Sequence, residues 1–309
     1  MIVALAGGVG GAKLAQGLYR ALPPDRLAVI GNTADDFEHF GLRISPDLDT
    51  VLYTLAGIAN PETGWGIAGD SFRTLEQLGR YGAERWFLIG DLDFATHIRR
   101  TELLRAGRSL TEVTAELARG LGLRAALLPM CDESVATIVE TPDGPLAFQD
   151  YFVRRRHQDP VSAVRFAGIE RATLPAGVAA ALREAEVIVL CPSNPIVSLG
   201  PILAVPGLGE ALRAARAPKV AVSPIVGGRA LKGPADRMLA GLGHDVSPAG
   251  VATLYRDFLD GLVLDEADAA LAPRVEALGP RALVTRTVMG DADDRRRLAD
   301  EVLAFANGE

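Results

Sequence analysis

Cysteine is scarce. The 309-residue chain has two, Cys131 and Cys191, far apart and outside any CxxC spacing. That excludes a disulfide scaffold and a zinc ribbon and suits a reducing compartment. No apolar run approaches the ~20 residues needed to cross a bilayer, and no charged-then-apolar leader precedes the opening MIVALAGG. Positive charge is not in excess either. With 32 Lys and Arg against 39 Asp and Glu the net charge is -7, and the pI is about 5.3, which argues against a nucleic-acid groove. There is no internal repeat and no low-complexity tail. The expectation is a soluble, cytoplasmic, globular protein without nucleic-acid or membrane partners.

A hydrophobic content of 49% is ample for the core of one large domain or two. MIVALAG, LAVIGN, WFLIGD, AALLPM, VIVLCPSNP, KVAVSPIVGG and LVLDE are short apolar runs without alternation, the pattern of parallel strands buried on both faces. Between them KLAQGLYRAL, THIRRTELLRAG, EALRAARA and GPADRMLAGLG have helical spacing. Ser109 and Glu112 form a capping-box pattern that starts a further helix. This alternation predicts an α/β fold, a Rossmann-like, doubly wound, mostly parallel sheet. The stretch SVATIVETPDGPLAFQDYFV breaks the rhythm and reads as a hairpin turning at Pro142-Asp143-Gly144, with the basic run Arg154-Arg155-Arg156-His157 after it. The expected organisation is a core of residues 1–133 and 167–309 with a β-rich insertion at 134–166.

The first turn, AGGVGGAKL, sits between a strand and a helix. It matches neither of the familiar fingerprints. A Walker loop needs GxxxxGK and a hydroxyl residue, but Ala12 separates Gly11 from Lys13 and Leu14 follows. A GxGxxG pattern counted from Gly8 would place its third glycine at Lys13. The context still suits an anion, because glycines there let backbone N–H groups and a helix N-terminus approach a phosphate. The bland alternative is a turn that merely joins strand to helix.

Acidic residues cluster after the second strand: Asp35, Asp36, Glu38, Asp47 and Asp49, with His39 among them. Beside a phosphate they would repel it unless a divalent cation intervened, and magnesium held by one or two carboxylates plus phosphate oxygens resolves that conflict. Asp47 reads as the N-cap of the helix DLDTVLYTL. Asp49 lies inside that helical run, where aspartate is a poor choice without a further role. Three more loops fit a ligand crevice: GDLDFATHIRR with Asp91, Asp93, Thr96 and His97 at a strand end, PSNPIVSLGPI with Ser193 and Asn194, and SPIVGGRALKGPADRM with Lys232. Each could equally be a structural turn. Together they favour a nucleotide or phosphoryl substrate.

The combination AGGVGGAKL, NTADD, ISPDLDTVLYTL, GDLDFATHIRR, CPSNPIVSLGPIL and SPIVGG, in this order, resembles the 2-phospho-L-lactate transferase family of coenzyme F-420 biosynthesis. The resemblance implies a magnesium-dependent transfer. A phospholactyl or enolpyruvyl-phosphate group would pass from its guanosine diphosphate ester to the terminal ribityl hydroxyl of the deazaflavin Fo, with GMP leaving. It places the guanosine diphosphate part at Gly7, Gly8, Gly10, Gly11 and Lys13, with Asn32, Ser193, Asn194, Pro195 and Ser223. Fo would lie by Asp49, Leu92, Asp93, Thr96 and His97, with Asp49 catalytic. The acidic cluster itself suggests that Asp49, alone or with Asp35 or Asp36, holds the magnesium and orients the hydroxyl. A homodimer is also implied.

One departure stands out. Where the family is expected to show GDRD, this chain has Gly90-Asp91-Leu92-Asp93. Leucine cannot repeat the contact of a planar cation, so either the Leu92 backbone suffices or Arg99 and Arg100 compensate. The nearest rival reading is a nucleotide-sugar-binding regulator of the gluconeogenesis-factor group, which resembles this chain in its glycine loop. A DDGGSSG-like stretch would be expected there, whereas Asp35-Asp36-Phe37-Glu38 carries no glycine. A nicotinamide dehydrogenase is disfavoured by the failed GxGxxG.

Overall fold

Strand β1 (Ile2–Ala6) shows how the molecule is layered: all five residues are buried, and they alternate between two cores. Ile2, Ala4 and Ala6 face one cluster, and Val3 and Leu5 the other, as the period of two in a strand dictates. A strand apolar on both sides needs helices on both sides. The structure, a computed structural model, describes all residues 1–309.

The remaining strands are β2 (Leu27–Gly31), β3 (Phe37–His39), β4 (Leu42–Ile44), β5 (Ala126–Pro129), β6 (Ala136–Thr141), β7 (Gly144–Ala147) and β8 (Ala163–Ala167). They continue as β9 (Val187–Leu190), β10 (Lys219–Val222), β11 (Ile225–Val226), β12 (Arg229–Ala230), β13 (Gly261–Asp265) and β14 (Arg281–Thr285). Seven of them form one sheet in the order β14-β13-β10-β9-β1-β2-β5, and every pairing in it is parallel. The chain therefore starts in the middle and winds outward both ways, as the doubly wound expectation requires. No helix is long and apolar enough to cross a membrane.

Helix α1 (Gly8–Ala21) packs on the C-terminal helix Ala292–Asn307. Gly17 permits this: a Cβ there would lie 2.1 Å from the carbonyl oxygen of Arg295. Gly17→Ala should cost about 1–3 kcal/mol, read as a lower denaturation midpoint with kcat kept. Helices α2 (Pro46–Ala56), α3 (Arg73–Arg80), α4 (Asp91–Arg105) and α5 (Leu110–Gly120) follow. The expected capping box opens α5, with Ser109 Oγ accepting the Glu112 N–H at 3.2 Å and Glu112 Oε2 accepting the Ser109 N–H at 3.0 Å.

Within 134–166, β6 pairs antiparallel with both β7 and β8, and the two-residue turn Pro142-Asp143 links Thr141 to Gly144. Two local expectations are corrected, and one strand is added. WFLIG is not a strand. Phe87 instead packs edge-on against Phe37, with ring centroids 4.8 Å apart, and Ile89 joins Ile44 and Phe94 in a small side core. RALVT forms the edge strand β14, which its mixed burial had hidden. Asp47 does not cap its own helix; Ser45 holds the N-cap position and Asp47 points elsewhere.

Candidate active site

A cavity of about 710 Å³ opens at the carboxyl ends of β1, β9 and β10. The strand order reverses between β1 and β9, the place where such sheets bind ligands. Gly7, Gly8, Gly10, Lys13, Ser193, Asn194 and Ser223 all line it. Gly11, Asn32 and Pro195, expected beside them, do not.

The glycines are there for different reasons. Gly8 has φ +62°, a left-handed conformation that disfavours a side chain. A Cβ at Gly10 would meet the Pro192 carbonyl oxygen at 2.4 Å, and one at Gly11 would meet Ser193 Oγ. The two loops thus touch backbone to backbone. Ser193 Oγ accepts the Gly7 N–H at 3.1 Å, while Asn194 Oδ1 accepts the Ile196 N–H at 2.9 Å and so folds its own loop. Ser223 Oγ does the same for Ile225. Lys13 is half-buried: Nζ donates to the Met289 carbonyl at 2.9 Å, and burial, with Arg295 and Lys232 nearby, lowers its pKa.

The Gly8 N–H is already engaged, donating to Asp47 Oδ1 at 2.8 Å. Asn32 Nδ2 then bridges Asp47 Oδ2 at 2.9 Å and Asp35 Oδ2 at 3.0 Å. Burial, and next the Asp47 carboxylate, hold Asp35 well above the usual carboxylate range, and burial also raises Asp47. Asp35 Oδ1 is buried without a hydrogen-bond partner. Two carboxylates bridged by one amide beside the glycine turn, one with an orphaned oxygen, fit a divalent cation. Asp36 fits less well: it lies outside the cavity lining, accepts Ser45 Oγ at 2.6 Å, pairs with Arg43 at 3.6 Å, and burial pushes its pKa to about 7. No three His, Cys, Asp or Glu side chains converge on one point, so phosphate or water oxygens would complete any coordination.

Asp49 lines the cavity but both its oxygens are taken by the Arg100 guanidinium, Nη1 to Oδ2 at 3.0 Å and Nη2 to Oδ1. Asp49 is thus paired with Arg100, while the two carboxylates that Asn32 bridges are Asp35 and Asp47. Asp93, His97 and Arg100 form a buried stripe on α4, at the spacing that shares a helix face. Arg100 Nη1 lies 3.2 Å from His97 Nδ1. A guanidinium only donates, so Nδ1 accepts and Nε2 carries the proton. Burial drops the His97 pKa to about 4, which keeps the ring neutral. Burial and the Asp49 charge raise Asp93 to about 6.

Leu92 and Thr96 do not line the cavity, and the Leu92 side chain is 53% exposed. Its N–H donates to Asp70 Oδ1 at 2.9 Å, so the backbone of the GDLD turn is held by Asp70. Asp91 is tied to Ser71, Arg73 and Thr74 on the same side. Arg99 pairs with Glu102 and Glu116, so only Arg100 of the two arginines reaches the site.

Sequence reading missed the aromatic wall. Trp86, Phe87 and Leu88 line one side; Phe148 and Phe152, stacked at 5.4 Å, line another. Arg154 joins the walls, its guanidinium 5.1 Å above Trp86 and paired with Glu84. The basic run is thus consumed by Glu84 and, through Arg155, by Asp159. Arg156 and His157, both with positive φ, end this strap in a strained turn.

Residues 2–299 match the family described as 2-phospho-L-lactate transferase CofD. The chain is 46% identical to a phosphoenolpyruvate transferase of Streptomyces avermitilis, covering 99% of this chain and 98% of that one. It is 40% identical to a 2-phospho-L-lactate transferase of Methanococcoides burtonii, over 99% of this chain and 100% of the other. Among solved structures, a member of the UPF0052 family from Bacillus halodurans superposes with a TM-score of 0.67 at 17% identity, covering 98% of both chains, a likeness of fold. With six ordered motifs meeting at one cavity and a match along nearly its whole length, the chain belongs to the 2-phospho-L-lactate transferase (CofD) family.

Proposed function

We propose that this protein transfers a three-carbon phosphoryl unit, phospholactyl or enolpyruvyl phosphate, from its guanosine diphosphate ester to the ribityl hydroxyl of Fo, releasing GMP. The observation that carries the reading is the junction at β1 and β9, where the glycine turn, the Asp35–Asp47 pair and the α2–α4 wall share one cavity. Phosphoryl transfer needs little covalent help from a protein; it needs positioning and neutralised charge. Backbone N–H groups of the first turn of α1 supply part of that, since they have no partner within the helix. Lys13 adds a cation at the same end.

Magnesium fits between Asp35, Asp47 and the diphosphate, where it would offset the charge of both sides. Asp35→Asn or Asp47→Asn should raise the magnesium concentration for half-maximal rate at least tenfold, measured by titrating the metal at saturating donor and Fo. An unchanged titration would move the metal elsewhere. Asp49 and its Arg100 partner form the acceptor end of the cavity, where the Fo hydroxyl would sit. The aromatic wall around Trp86 and Phe152 suits the planar deazaflavin, because stacked rings gain more than their buried area.

One reaction tests the whole reading. The protein, magnesium and Fo are mixed with guanylylated phospholactate, phosphoenolpyruvate and phosphoglycerate in competition, and products are weighed by mass spectrometry. A phosphodiester of Fo with equal GMP is expected, and its mass names the acid. Absence of Fo binding, followed by fluorescence, would overturn the proposal.

A further inference from the structure

We propose that Asp93, rather than Asp49, takes the proton from the attacking hydroxyl. This inference rests on the transfer reading above and names the residue that completes it. The two carboxylates of the acceptor wall stand in different surroundings. Asp49 is bound at both oxygens by the fixed guanidinium of Arg100. Asp93 has no cation on it: it accepts the Gly90 N–H at 3.3 Å, has the Tyr53 hydroxyl beside it, and opens onto the same cavity. Two carboxylates held in such different hydrogen-bonding surroundings divide into an anchor and a base.

The groups around Asp93 support the division. From α2, Asp49 and the Tyr53 hydroxyl face it; from the turn before α3, Asp70 does; from its own helix come His97 and Arg100. Burial and the charges of Asp49 and Asp70 outweigh the hydrogen bonds from Gly90 and Tyr53, so Asp93 is more basic than an ordinary aspartate yet ionised at neutral pH. Neutral His97, one turn along the same face, has an Nε2–H to donate and no tendency to take the proton itself. The segment Thr63–Gly66 links this wall to the glycine turn. The Cβ position of Gly64 falls 2.5 Å from Val9 Cγ1, and that of Gly66 falls 3.6 Å from Asp93 Oδ2.

The step balances. The hydroxyl proton passes to Asp93 Oδ as the oxygen forms its bond to the phosphorus that carries the three-carbon unit. The bond from that phosphorus to the GMP oxygen breaks, and its electron pair leaves with GMP. Asp93 then releases the proton to the departing phosphate or to water.

The simpler role for Asp93 is to cap α4 through Gly90, and the test separates the two. Asp93→Asn keeps an oxygen for the Gly90 N–H but cannot accept a proton. Its kcat should fall about 10²–10⁴-fold, with the KM for Fo within threefold and the thermal midpoint unchanged. In the wild type, kcat should rise with pH through about 6, because the base must be ionised. Asp93→Glu should retain such a limb at a shifted pH. An Asn variant within threefold of wild-type kcat, or a wild-type profile flat from pH 5 to 8, overturns the proposal while the transfer reading stands. A wild type that makes no phosphodiester from any donor overturns both.

Discussion

Arg100→Leu is expected to cost about 3–5 kcal/mol of folding stability, a fall in thermal midpoint of roughly 10 °C for a chain of this size. Arg100 is 1% exposed and Asp49 5% exposed, so the pair is largely withdrawn from solvent. Removing the guanidinium leaves a buried carboxylate with no compensating charge, and that penalty exceeds anything lost in packing. His97 would also lose the donor that fixes its tautomer. Calorimetry of Arg100→Leu against the Arg100→Leu, Asp49→Leu double variant checks the cause. The double variant should recover most of the stability, because an ion pair replaced as a unit by apolar side chains is close to neutral. It should recover none of the activity. A single variant as stable as the wild type would mean that the ion pair is solvated.

Gly10→Ala is expected to lower kcat/KM by about 10²-fold. The added methyl would lie 2.4 Å from the Pro192 carbonyl oxygen, a backbone atom that cannot swing aside. The start of α1 must therefore move away from the Ser193 loop by most of an ångström, and a displacement of that size at a reacting centre has consequences of this order. Gly8→Ala is the useful contrast. Its Cβ would lie 3.9 Å from Asp47 Oδ1, so the only cost is the left-handed backbone, about 1–2 kcal/mol of stability. Steady-state kinetics and thermal melts of both variants should show opposite profiles. If Gly10→Ala bound GDP and turned over normally, the phosphates would lie away from this turn.

Short apolar runs and glycine punctuation were enough to place most of the central sheet, because parallel strands buried on both sides carry a strong and local signal. The edge strand β14 carried a weak one, since none of its five residues is fully buried and two are exposed. WFLIG was misleading for the opposite reason: its apolar side chains serve a small side core and the cavity wall, and no strand pairing comes with them. In the site, residue types identified which carboxylates mattered but not their partners. Arg100 lies far from Asp49 in sequence, and only the docking of α4 on α2 shows that one acid is neutralised while Asp93 is not. Asp47 was assigned to its own helix because N-capping is a local rule; the Gly8 N–H that it serves is brought there by the sheet. Leu92 drew attention as a missing cation, yet its side chain points outward and Asp70 holds its backbone.

The position of β1 also has a consequence for synthesis. Ile2 pairs on one side with Leu27, which leaves the ribosome soon after it, and on the other with Val187, which emerges much later. At 5–20 residues per second, roughly ten seconds or more separate the two events. During that interval β1, β2 and β5 can pair, but the other edge of β1 stays bare, apolar and open to the wrong partner. Refolding of the whole chain should accordingly be slow and concentration-sensitive, with losses to aggregation that fall when a chaperone shields the unfinished half-sheet.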